Sequence, residues 1–422
     1  MSTKIYIKTY GCALNKSDSE TMAGLLKEAG FEVVNDVDDA FIVIINTCTV
    51  KGPSETKFYK YLKKLKKEYK YKKIIIAGCI PQTDPSKLKK HGLIGTSQIT
   101  NIVQLVEEVL NDNPIPMLEK KELPRLNLPK IRKNPVVEII PICEGCLGSC
   151  AYCKVRAARG KLRSYPKEEI IEQARKAILK DRIPEIWLTA QDTGCYGKDI
   201  DSSLPELLKE IIKIPGEFKI RLGMLNPNYA YEFLDELIEI FKSEKMFKFL
   251  HAPVQSGSNE ILKAMKRKYT VEQFNEIIDK FKAAIPNITI ATDIIVGFPG
   301  ETEKQYQDSL DLIKKITPDV LNRSRFWPRP KTPAAKMENR VPGPIIKHRS
   351  GLMSSIFTNI ARMQNEKWLG WTGIVLVDEI GKDDTKVARN FAYKPIIIPG
   401  KYKLGDKLKV RVNKTTNFDL RV

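Results

Sequence analysis

The stretch CEGCLGSCAYC, residues 143–153, places four cysteines within eleven positions. The two C-x2-C pairs of a zinc site normally stand a dozen or more residues apart, so that the chain can wrap a tetrahedral ion. Here only three residues separate the pairs, which disfavours zinc. A bacterial ferredoxin run is C-x2-C-x2-C-x3-C followed by proline, and this stretch has neither that order nor the proline. A third grouping is C-x3-C-x2-C, formed by Cys146, Cys150 and Cys153.

The C-x3-C-x2-C spacing, with the aromatic Tyr152 before its last cysteine, resembles the radical S-adenosylmethionine (SAM) superfamily. The resemblance implies that the thiolates of Cys146, Cys150 and Cys153 bind three irons of a [4Fe-4S] cluster. It also implies that the fourth iron chelates SAM, which an electron from the cluster cleaves to a 5′-deoxyadenosyl radical. Cys143 falls outside this register, and we interpret it as a bystander.

Strand-like and helix-like segments alternate from about residue 136 to residue 326. Helical patterns such as KEEIIEQARKAILK and VEQFNEIIDKFKAA separate the apolar runs. Six such runs predict strands, namely VEIIPI, IWLTAQ, KIRLGM, MFKFLHAPV, ITIATDIIVGF and VLNRSRF. Repeated strand–helix units predict a parallel sheet curled into a full or partial TIM-type barrel, with six units here. Chemistry in such folds lies at the C-terminal ends of the strands.

The first segment of the chain also alternates strands and helices, which predicts a small Rossmann-like parallel α/β domain. The stretches KTYGC, INTC and AGC place Cys12, Cys48 and Cys79 just after predicted strands. The ends of parallel strands share one edge of a sheet, so we predict a second three-cysteine iron–sulfur site there. Singly, each cysteine is more often a small buried apolar residue. Ser17 or Asp18 is a candidate N-cap of the first helix.

The remaining segments complete an α/β multidomain architecture. Residues 113–135 contain five prolines and predict an extended linker. A helix is predicted over about 345–367. The tail then alternates short apolar strands with Gly, Asp and Lys, which predicts a small antiparallel β-barrel. The predicted domains are 1–112, 136–366 and 367–422.

The formal net charge of +20 predicts a polyanionic partner, and nucleic acid is the usual one. An anionic membrane surface is the second choice. No apolar run approaches the length of a membrane span, and the start of the chain lacks the apolar core of a signal peptide. Eight cysteines in a chain of 422 residues do not resemble a disulfide framework. We therefore expect a soluble cytoplasmic protein without a membrane partner.

Three basic stretches are candidates for contact with RNA. Residues 57–73 carry nine lysines and one glutamate, interleaved with aromatic residues that either stack on bases or pack beneath a solvated helix face. The tail carries twelve Lys or Arg against six Asp or Glu from Lys367 onward. The third stretch follows the cysteine loop and contains Lys154, Arg156, Arg159, Lys161 and Arg163.

Along its whole length the chain resembles the methylthiotransferases, which combine a three-cysteine domain, a radical SAM core and a C-terminal TRAM domain. The motifs that carry the resemblance are KTYGCALNKSDSE, INTCTV, AGC, GCLGSCAYCKVRAARG, LTAQDTGCYG, PVQSGS and TDIIVGFPGET. They are most similar to the archaeal and eukaryotic branch. That branch acts at C2 of N6-threonylcarbamoyladenosine (t6A), next to the anticodon of tRNA, and makes the 2-methylthio derivative.

This resemblance implies two [4Fe-4S] clusters with separate tasks. The cluster on Cys146, Cys150 and Cys153 generates the radical from SAM, and the one held by the N-terminal cysteines carries the sulfur atom. The implied partners are the anticodon stem-loop of tRNA, an electron donor and a sulfur source. An unactivated aromatic C–H has no acidic proton to remove, so acid–base chemistry cannot start this reaction and a cofactor must supply that step.

Several polar residues after barrel strands are candidates for holding SAM, although each is also a common type of strand-end cap or turn residue. The candidates are Gln191, Asp192, Gln255, Ser256 and Asp293, with Tyr152 beside the cluster. We interpret His251 as structural and Cys195 as an incidental thiol.

Two alternatives stay open at this point. Related methylthiotransferase branches act on isopentenyladenosine or on a ribosomal-protein aspartate, and sequence alone does not fix the base. A non-catalytic RNA-binding iron–sulfur protein is the alternative from another class. The two complete three-cysteine sets argue against it.

Overall fold

The computed structural model describes residues 2–49 and 52–422. Its N-terminal part is a five-stranded parallel sheet in the order β2-β1-β3-β4-β5. The strands are β1 (Lys4–Thr9), β2 (Glu32–Val34), β3 (Ile42–Thr47), β4 (Lys73–Gly78) and β5 (Gly92–Ile94). The helices are α1 (Ala13–Glu28), α2 (Gly52–Glu68), the short α3 (Cys79–Thr83) and α4 (Ile102–Leu110).

Strands β3 and β4 were expected because a parallel strand covered on both faces is a continuous apolar run. All six residues of β3 are buried, with α1 and α4 on one face of the sheet and α2 on the other. The edge strands β2 and β5 were missed, since three residues give too little pattern. The predicted N-cap was wrong. Helix α1 begins at Ala13, and both Ser17 and Asp18 are buried inside it.

The central part contains six parallel strands in sequence order, as predicted. They form two three-stranded sheets, which a parallel bridge between Ile220 and Met246 joins. The strands are β6 (Val137–Pro141), β9 (Glu185–Thr189), β10 (Lys219–Leu222), β11 (Phe249–His251), β12 (Thr289–Val296) and β13 (Val320–Arg325). Between β6 and β9, β7 (Cys143–Glu144) pairs with β8 (Arg163–Ser164). This arrangement is a partial barrel, and the largest apolar core of the described residues lies between its strands and the helices outside them.

The helices of this part lie outside the strands. They are α5 (Val155–Arg159), α6 (Lys167–Arg175), α7 (Leu204–Lys213), α8 (Pro227–Glu232), α9 (Leu234–Lys242), α10 (Asn259–Ala264), α11 (Val271–Ala284) and α12 (Glu303–Ile316). Most cover the barrel, and the short α5 packs against α3. Capping boxes set the starts of two of the barrel helices. Thr270 accepts the Gln273 N–H at the start of α11, and Thr302 accepts the Gln305 N–H at the start of α12.

The C-terminal part is helix α13 (Gly343–Glu366) followed by a six-stranded sheet in the order β17-β14-β15-β16-β19-β18. Its strands are β14 (Thr372–Ile380), β15 (Thr385–Arg389), β16 (Pro395–Pro399), β17 (Lys407–Arg411), β18 (Lys414–Thr415) and β19 (Leu420–Arg421). All pairings are antiparallel except that of β16 with β19. Strand β15 was not predicted because its sequence, TKVAR, has no strong alternation.

The Pro-rich segment between α4 and β6 has neither helix nor strand, and all of it belongs to the described residues. It is nevertheless tied to the sheet and to helix α1 of the N-terminal part. Met117 extends that sheet beside Ile94, and the Ile131 N–H donates to the Glu20 carbonyl at 3.0 Å. Across the described ranges, no helix is long and apolar enough to span a membrane.

Candidate functional site

The first three-cysteine set lies in the loop after β6, at the C-terminal end of a barrel strand. Gly148 lies between two of its thiols, because a β-carbon built there would stand 3.2 Å from Cys146 Sγ and 3.7 Å from Cys150 Sγ. The Gly148 N–H donates to Cys146 Sγ at 3.1 Å, and the Val155 N–H donates to Cys153 Sγ at 3.4 Å. Burial raises the pKa of Cys146 to about 12 and that of Cys153 to about 11. Backbone N–H groups thus donate to two of the three predicted ligand sulfurs.

An arginine that the sequence analysis did not single out contacts the remaining thiol of this set, that of Cys150. Arg267 Nη1 donates to Cys150 Sγ at 3.1 Å. The same guanidinium donates to Asn226 Oδ1, and its Nε lies 3.0 Å from the Tyr269 hydroxyl. Arg267 stands between two lysines in sequence, so nothing in the pattern distinguishes it. Only the fold shows that its charge faces the cysteine loop.

Two predicted SAM residues present unpartnered oxygen atoms beside this loop. Asp192 Oδ1 accepts the N–H groups of Gly194 and Asn226, both at 3.1 Å. Asp192 Oδ2 and Gln191 Oε1 are buried, and neither has a hydrogen-bond partner within the described residues. Burial raises the pKa of Asp192. Buried acceptors without donors on two consecutive residues fit a ligand that brings N–H groups or positive charge.

The other predicted SAM residues lie along the strands of the opposite half of the barrel. Gln255 has a left-handed φ of 74°, and its N–H donates to the Asp293 carbonyl at 2.8 Å. Asp293 Oδ1 lies 3.3 Å from His251 Nε2. Ser256 is fully buried, and its hydroxyl accepts the Ser258 N–H at 3.2 Å. The Ser256 hydroxyl is thus already used within the turn, and the roles of these residues toward SAM stay predictions.

Tyr152 packs inward and fixes the cysteine loop. Its ring meets that of Phe298 edge-on, with the ring centroids 6.5 Å apart. Ala151 and Met265 belong to the same apolar cluster, and the Ala151 N–H donates to the Met265 carbonyl at 3.0 Å. These contacts attach the loop to the far side of the barrel.

The two other cysteines of the core lie beneath the site. Cys143 and Cys195 are fully buried. Their thiols donate to the same carbonyl, that of Asp192, at 3.7 Å and 3.1 Å respectively. Neither thiol shares the contacts of the three-cysteine loop described above, so the prediction that Cys143 is a bystander stands unchanged.

The second three-cysteine set lies at the C-terminal edge of the N-terminal sheet. Cys12 precedes α1, Cys48 follows β3 and Cys79 begins α3. Gly11 has φ of 114°, and a β-carbon there would stand 2.7 Å from Cys48 Cβ, so a larger side chain does not fit. Burial raises the pKa of Cys79 to about 12, and Cys48 and Cys12 are close enough to raise it further. The fold thus brings three cysteines that are distant in sequence to one edge.

Asn15 joins this second set to the barrel, and sequence reasoning missed it too. Its Nδ2 donates to the carbonyls of Tyr10 at 3.0 Å and Thr47 at 2.8 Å. Its Oδ1 accepts Arg159 Nη2 at 2.9 Å and lies 3.8 Å from the Cys12 thiol. One fully buried amide therefore contacts the segments just before Cys12 and Cys48 and joins them to Arg159.

A buried cluster of four charges lies between the two cysteine sets. Arg159 Nη2 donates to Asp18 Oδ2 at 2.6 Å. Arg125 Nη2 lies 3.4 Å from Asp18 and 3.3 Å from Glu144. Each of the four side chains is at most 7% exposed. Because buried charges must be paired, this cluster fixes α1 against α5, the helix that follows the first cysteine set.

Helix contacts bring the two sets side by side. Helix α5, directly after Cys153, packs against α3, which begins at Cys79. Lys154 forms an ion pair with Asp84, and Thr96 Oγ1 donates to the Ala158 carbonyl at 2.7 Å. The first turn after one cysteine set therefore rests on the first turn after the other.

These contacts correct part of the predicted RNA surface. Lys154 and Arg159 are buried in ion pairs, so the prediction that they meet RNA was wrong. Arg163 is partly buried and lies 3.7 Å from Glu144. Of the five basic residues in this stretch, Arg156 and Lys161 are exposed.

In residues 57–73 seven of the nine lysines are exposed, whereas Lys72 is buried and most aromatic residues pack inward. Phe58 is fully buried, and Tyr59, Tyr61 and Tyr69 pack against the apolar core. Tyr71 is 65% exposed. The exposed lysines are Lys57, Lys60, Lys63, Lys64, Lys66, Lys67 and Lys70. This stretch therefore offers charge to a polyanion, and base stacking by its aromatics is confined to Tyr71.

The two cysteine sets fit iron–sulfur clusters by the chemistry of their donors. Within the described residues, no three His, Cys, Asp or Glu side chains converge as the ligands of a single metal ion do. A [4Fe-4S] cluster bonds each cysteine to a different iron, so its ligands stand farther apart than those of one ion. Cysteine thiols at strand ends, together with the unpartnered Asp192 and Gln191 oxygens, match a cluster with SAM beside it.

Comparison with known families divides the chain into three matches. The Radical SAM superfamily matches residues 140–313. The uncharacterized protein family UPF0004 matches residues 4–95, and the TRAM domain matches residues 370–421. Membership of the Radical SAM superfamily implies SAM and a [4Fe-4S] cluster as cofactors.

Solved structures share the fold at low sequence identity. The radical SAM methyltransferase TsrM from Kitasatospora setae, with cobalamin and a [4Fe-4S] cluster bound, is 14% identical, with a TM-score of 0.57 over 79% of this chain and 77% of that chain. The cobalamin-dependent SAM radical enzyme OxsB gives a TM-score of 0.52 at 13% identity, over 85% of this chain and 55% of that chain. These matches confirm the expected α/β multidomain fold class.

Full-length relatives are far more similar. The probable threonylcarbamoyladenosine tRNA methylthiotransferase of Pyrococcus abyssi is 46% identical over 94% of this chain and 93% of its own length. The threonylcarbamoyladenosine tRNA methylthiotransferase of Homo sapiens is 42% identical over 94% of this chain and 69% of its own length. The chain therefore belongs to the threonylcarbamoyladenosine tRNA methylthiotransferase family.

Proposed function

We propose that this protein is a radical SAM enzyme that methylthiolates t6A at C2, next to the anticodon of tRNA, to give 2-methylthio-t6A. The single observation that carries the proposal is the packing of α5 on α3, which sets two three-cysteine sites side by side in a chain of this family. A radical source and a sulfur carrier must work on one adenine, so their sites must adjoin.

The proposed ligands of the first [4Fe-4S] cluster are Cys146, Cys150 and Cys153, and SAM binds beside it. The cofactors supply the hydrogen abstraction and the methylthio group, and the protein positions the reactants. Gln191 Oε1 and Asp192 Oδ2 are the proposed acceptors for the SAM amino group, since both oxygens lack donors within the described residues.

Further side chains complete the proposed SAM site. Gln255 and Asp293 lie next to each other at the barrel rim, and Tyr152 fixes the cysteine loop. Ser256 is the weaker candidate, because its hydroxyl already accepts a backbone N–H. We propose that Ser256 stabilises the turn that contains Gln255.

A second [4Fe-4S] cluster, on Cys12, Cys48 and Cys79, is the finer part of the cofactor proposal. Gly11 supports it, because the absence of a side chain there leaves room beside Cys48. Asn15 would orient Cys12, whose thiol lies 3.8 Å from its amide oxygen.

The tRNA anticodon stem-loop is the proposed substrate partner. The exposed lysines of α2 and the basic C-terminal sheet, which matches a TRAM domain, support contact with phosphates. Turnover also needs an electron donor and a sulfur source, and tRNA as substrate favours a cytoplasmic location. Our division into domains at 1–112, 113–135, 136–366 and 367–422 belongs to the same proposal.

Deleting the gene and analysing tRNA nucleosides by mass spectrometry tests this function. We expect 2-methylthio-t6A to disappear while t6A persists, and a plasmid copy should restore the product. Persistence of 2-methylthio-t6A in the deletion strain would refute the substrate. Loss of methylthio-isopentenyladenosine instead would favour the related branch.

A further inference from the structure

A tryptophan stands exposed between the two cysteine sets. Trp327 is 67% exposed, whereas Trp368 is 5% exposed and Trp371 packs against the C-terminal core. Trp187 is likewise partly buried against an apolar cluster. An indole carries a large apolar area, and an exposed one is therefore a candidate for binding.

The segment that carries this tryptophan, residues 326–334, is called the strap here. Its two ends are attached to the first cysteine loop. Phe326 packs against Phe298 with ring centroids 5.4 Å apart, and Phe298 in turn meets Tyr152. At the other end, the Ala334 N–H donates to the Ala151 carbonyl at 2.9 Å. Trp327 is therefore held on a fixed backbone beside the first set.

The middle of the strap is attached to the second cysteine set. Arg329 is buried, and its Nη2 donates to the Thr49 carbonyl at 2.5 Å, one residue after Cys48. Its Nη1 lies 2.8 Å from Glu55. Trp327 Cγ is 3.7 Å from the position that a β-carbon on Gly52 would take. Buried side chains thus flank the one tryptophan that remains exposed.

The surroundings of the strap carry positive charge. Between Asp319 and Glu338 the sequence contains five Arg or Lys and no Asp or Glu. Arg325 and Lys331 lie two residues before and four residues after Trp327, and both are exposed. An exposed aromatic ring flanked by cations is the combination that binds unpaired nucleotides, because bases stack on the ring and phosphates meet the charges.

We infer that the Trp327 indole stacks on an unpaired base of the anticodon loop and holds that loop at the rim between the two cysteine sets. The inference rests on the proposed function, since it takes tRNA as the substrate. It assigns a nucleobase-binding position that the cysteine and SAM residues do not provide. A base held there lies beside both sites that must act on one adenine.

The test compares Trp327→Ala with Trp327→Phe in the full chain loaded with iron. The probe is a t6A-containing anticodon stem-loop RNA, and the readouts are its dissociation constant, iron content and tryptophan emission. One stacked base is worth a factor of about 5 to 150 in affinity. We expect Trp327→Ala to lose affinity by that factor, and Trp327→Phe to lose much less because it keeps an aromatic ring. Iron content should not change in either variant.

Phe41→Ala is the matched control, since Phe41 is 41% exposed but precedes β3, at the opposite end of that strand from Cys48. It should bind the RNA as the parent chain does. In the parent chain, RNA should also quench an emission component that Trp327→Phe lacks. This emission test decides the matter if Trp327→Ala fails to fold or to load iron.

Equal affinity of Trp327→Ala and the parent chain would overturn the inference, as would equal losses in the alanine and phenylalanine variants. So would parent emission from Trp327 that RNA leaves unchanged. Formation of 2-methylthio-t6A by a variant that binds RNA normally would show that the proposed function holds while the stacking position is wrong. If the affinity and emission changes are as expected but the parent chain forms no 2-methylthio-t6A, the stacking position holds and the proposed function is wrong.

Discussion

Arg159 Nη2 lies 2.6 Å from Asp18 Oδ2, although 141 positions separate the two residues in sequence. Arg159 ends the helix after the first cysteine set, and Asp18 lies in the helix after Cys12. Both side chains are at most 3% exposed. This pair therefore joins the barrel to the N-terminal sheet at the level of the two cysteine sets.

Replacing Arg159 with alanine should destabilise the protein, because Asp18 would remain buried with less compensation. Breaking a buried pair by removing one partner typically costs 3–5 kcal/mol. We expect about 3 kcal/mol, since Arg125 still faces Asp18 at 3.4 Å. Denaturant unfolding measures the loss. Lys213→Ala, which removes an exposed pair with Glu210, is the control and should change stability by less than about 0.5 kcal/mol. Equal effects in the two variants would show that the buried pair is not structural.

Arg267→Gln should leave four irons on the first site yet lower the reduction potential of the cluster. Hydrogen bonds to cluster sulfurs are among the features that set this potential, and Arg267 Nη1 donates to Cys150 Sγ at 3.1 Å. Loss of such outer contacts typically costs ~10- to 100-fold in activity even where the metal is retained. A potentiometric titration followed by electron paramagnetic resonance measures the change. Lys268→Gln, an exposed neighbouring cation, should leave the potential unaltered. An unchanged potential in Arg267→Gln would refute this role.

Iron counts after anaerobic reconstitution should separate the cysteines into three groups. With two [4Fe-4S] clusters the parent chain should hold about eight irons. Cys150→Ala and Cys48→Ala should each lose about four. Cys143→Ala should keep all of them, because its buried thiol contacts the Asp192 carbonyl. Loss of iron from the Cys143 variant would reopen a four-ligand site, and full iron in the Cys48 variant would exclude the second cluster.

Glu185→Gln should stabilise the protein at alkaline pH. Burial, reinforced by the charge of Asp378, raises the pKa of Glu185 to about 7 from 4.5. The folded state then binds the proton more tightly than the unfolded state. Stability present below pH 4.5 is therefore lost as the pH rises through about 7. At pH 8 the variant should be more stable by on the order of 2–3 kcal/mol.

In Glu185→Gln the side-chain amide oxygen can still accept the hydrogen bond that the Trp187 indole N–H donates to Glu185 in the parent chain. Thermal unfolding of both proteins between pH 4 and pH 8 measures the effect, and the difference should vanish at the acidic end. A difference that does not depend on pH would refute the raised pKa. The charged groups nearest to this carboxyl include Asp378, Arg389 and Arg221.

The sequence predicted the elements whose pattern is strong and local. All six barrel strands were found from apolar runs, and the convergence of Cys12, Cys48 and Cys79 followed from parallel strand order. The three-residue strands β2 and β5 were not predicted, because so short a segment shows no hydrophobic periodicity. Local pattern therefore gave the architecture and the candidate ligands.

What escaped prediction depends on contacts between distant segments. The sequence predicted Arg159 to be one of several surface cations and Asp18 to be a candidate helix cap. The fold instead buries the two side chains against each other. Arg267 and Asn15 were not noticed, since a single Arg or Asn carries no motif. Charge alone does not show which cations face solvent, because that depends on the partner that the tertiary structure provides.

The central claim is that this protein methylthiolates t6A in tRNA, and the purified enzyme tests it most directly. The chain, reconstituted with iron and sulfide, is incubated anaerobically with SAM, a reductant and t6A-containing tRNA, and the nucleosides are analysed by mass spectrometry. We predict conversion of t6A to 2-methylthio-t6A, and no product from the same tRNA lacking the threonylcarbamoyl group. Unchanged t6A together with methylthiolation of isopentenyladenosine in a parallel reaction would contradict it.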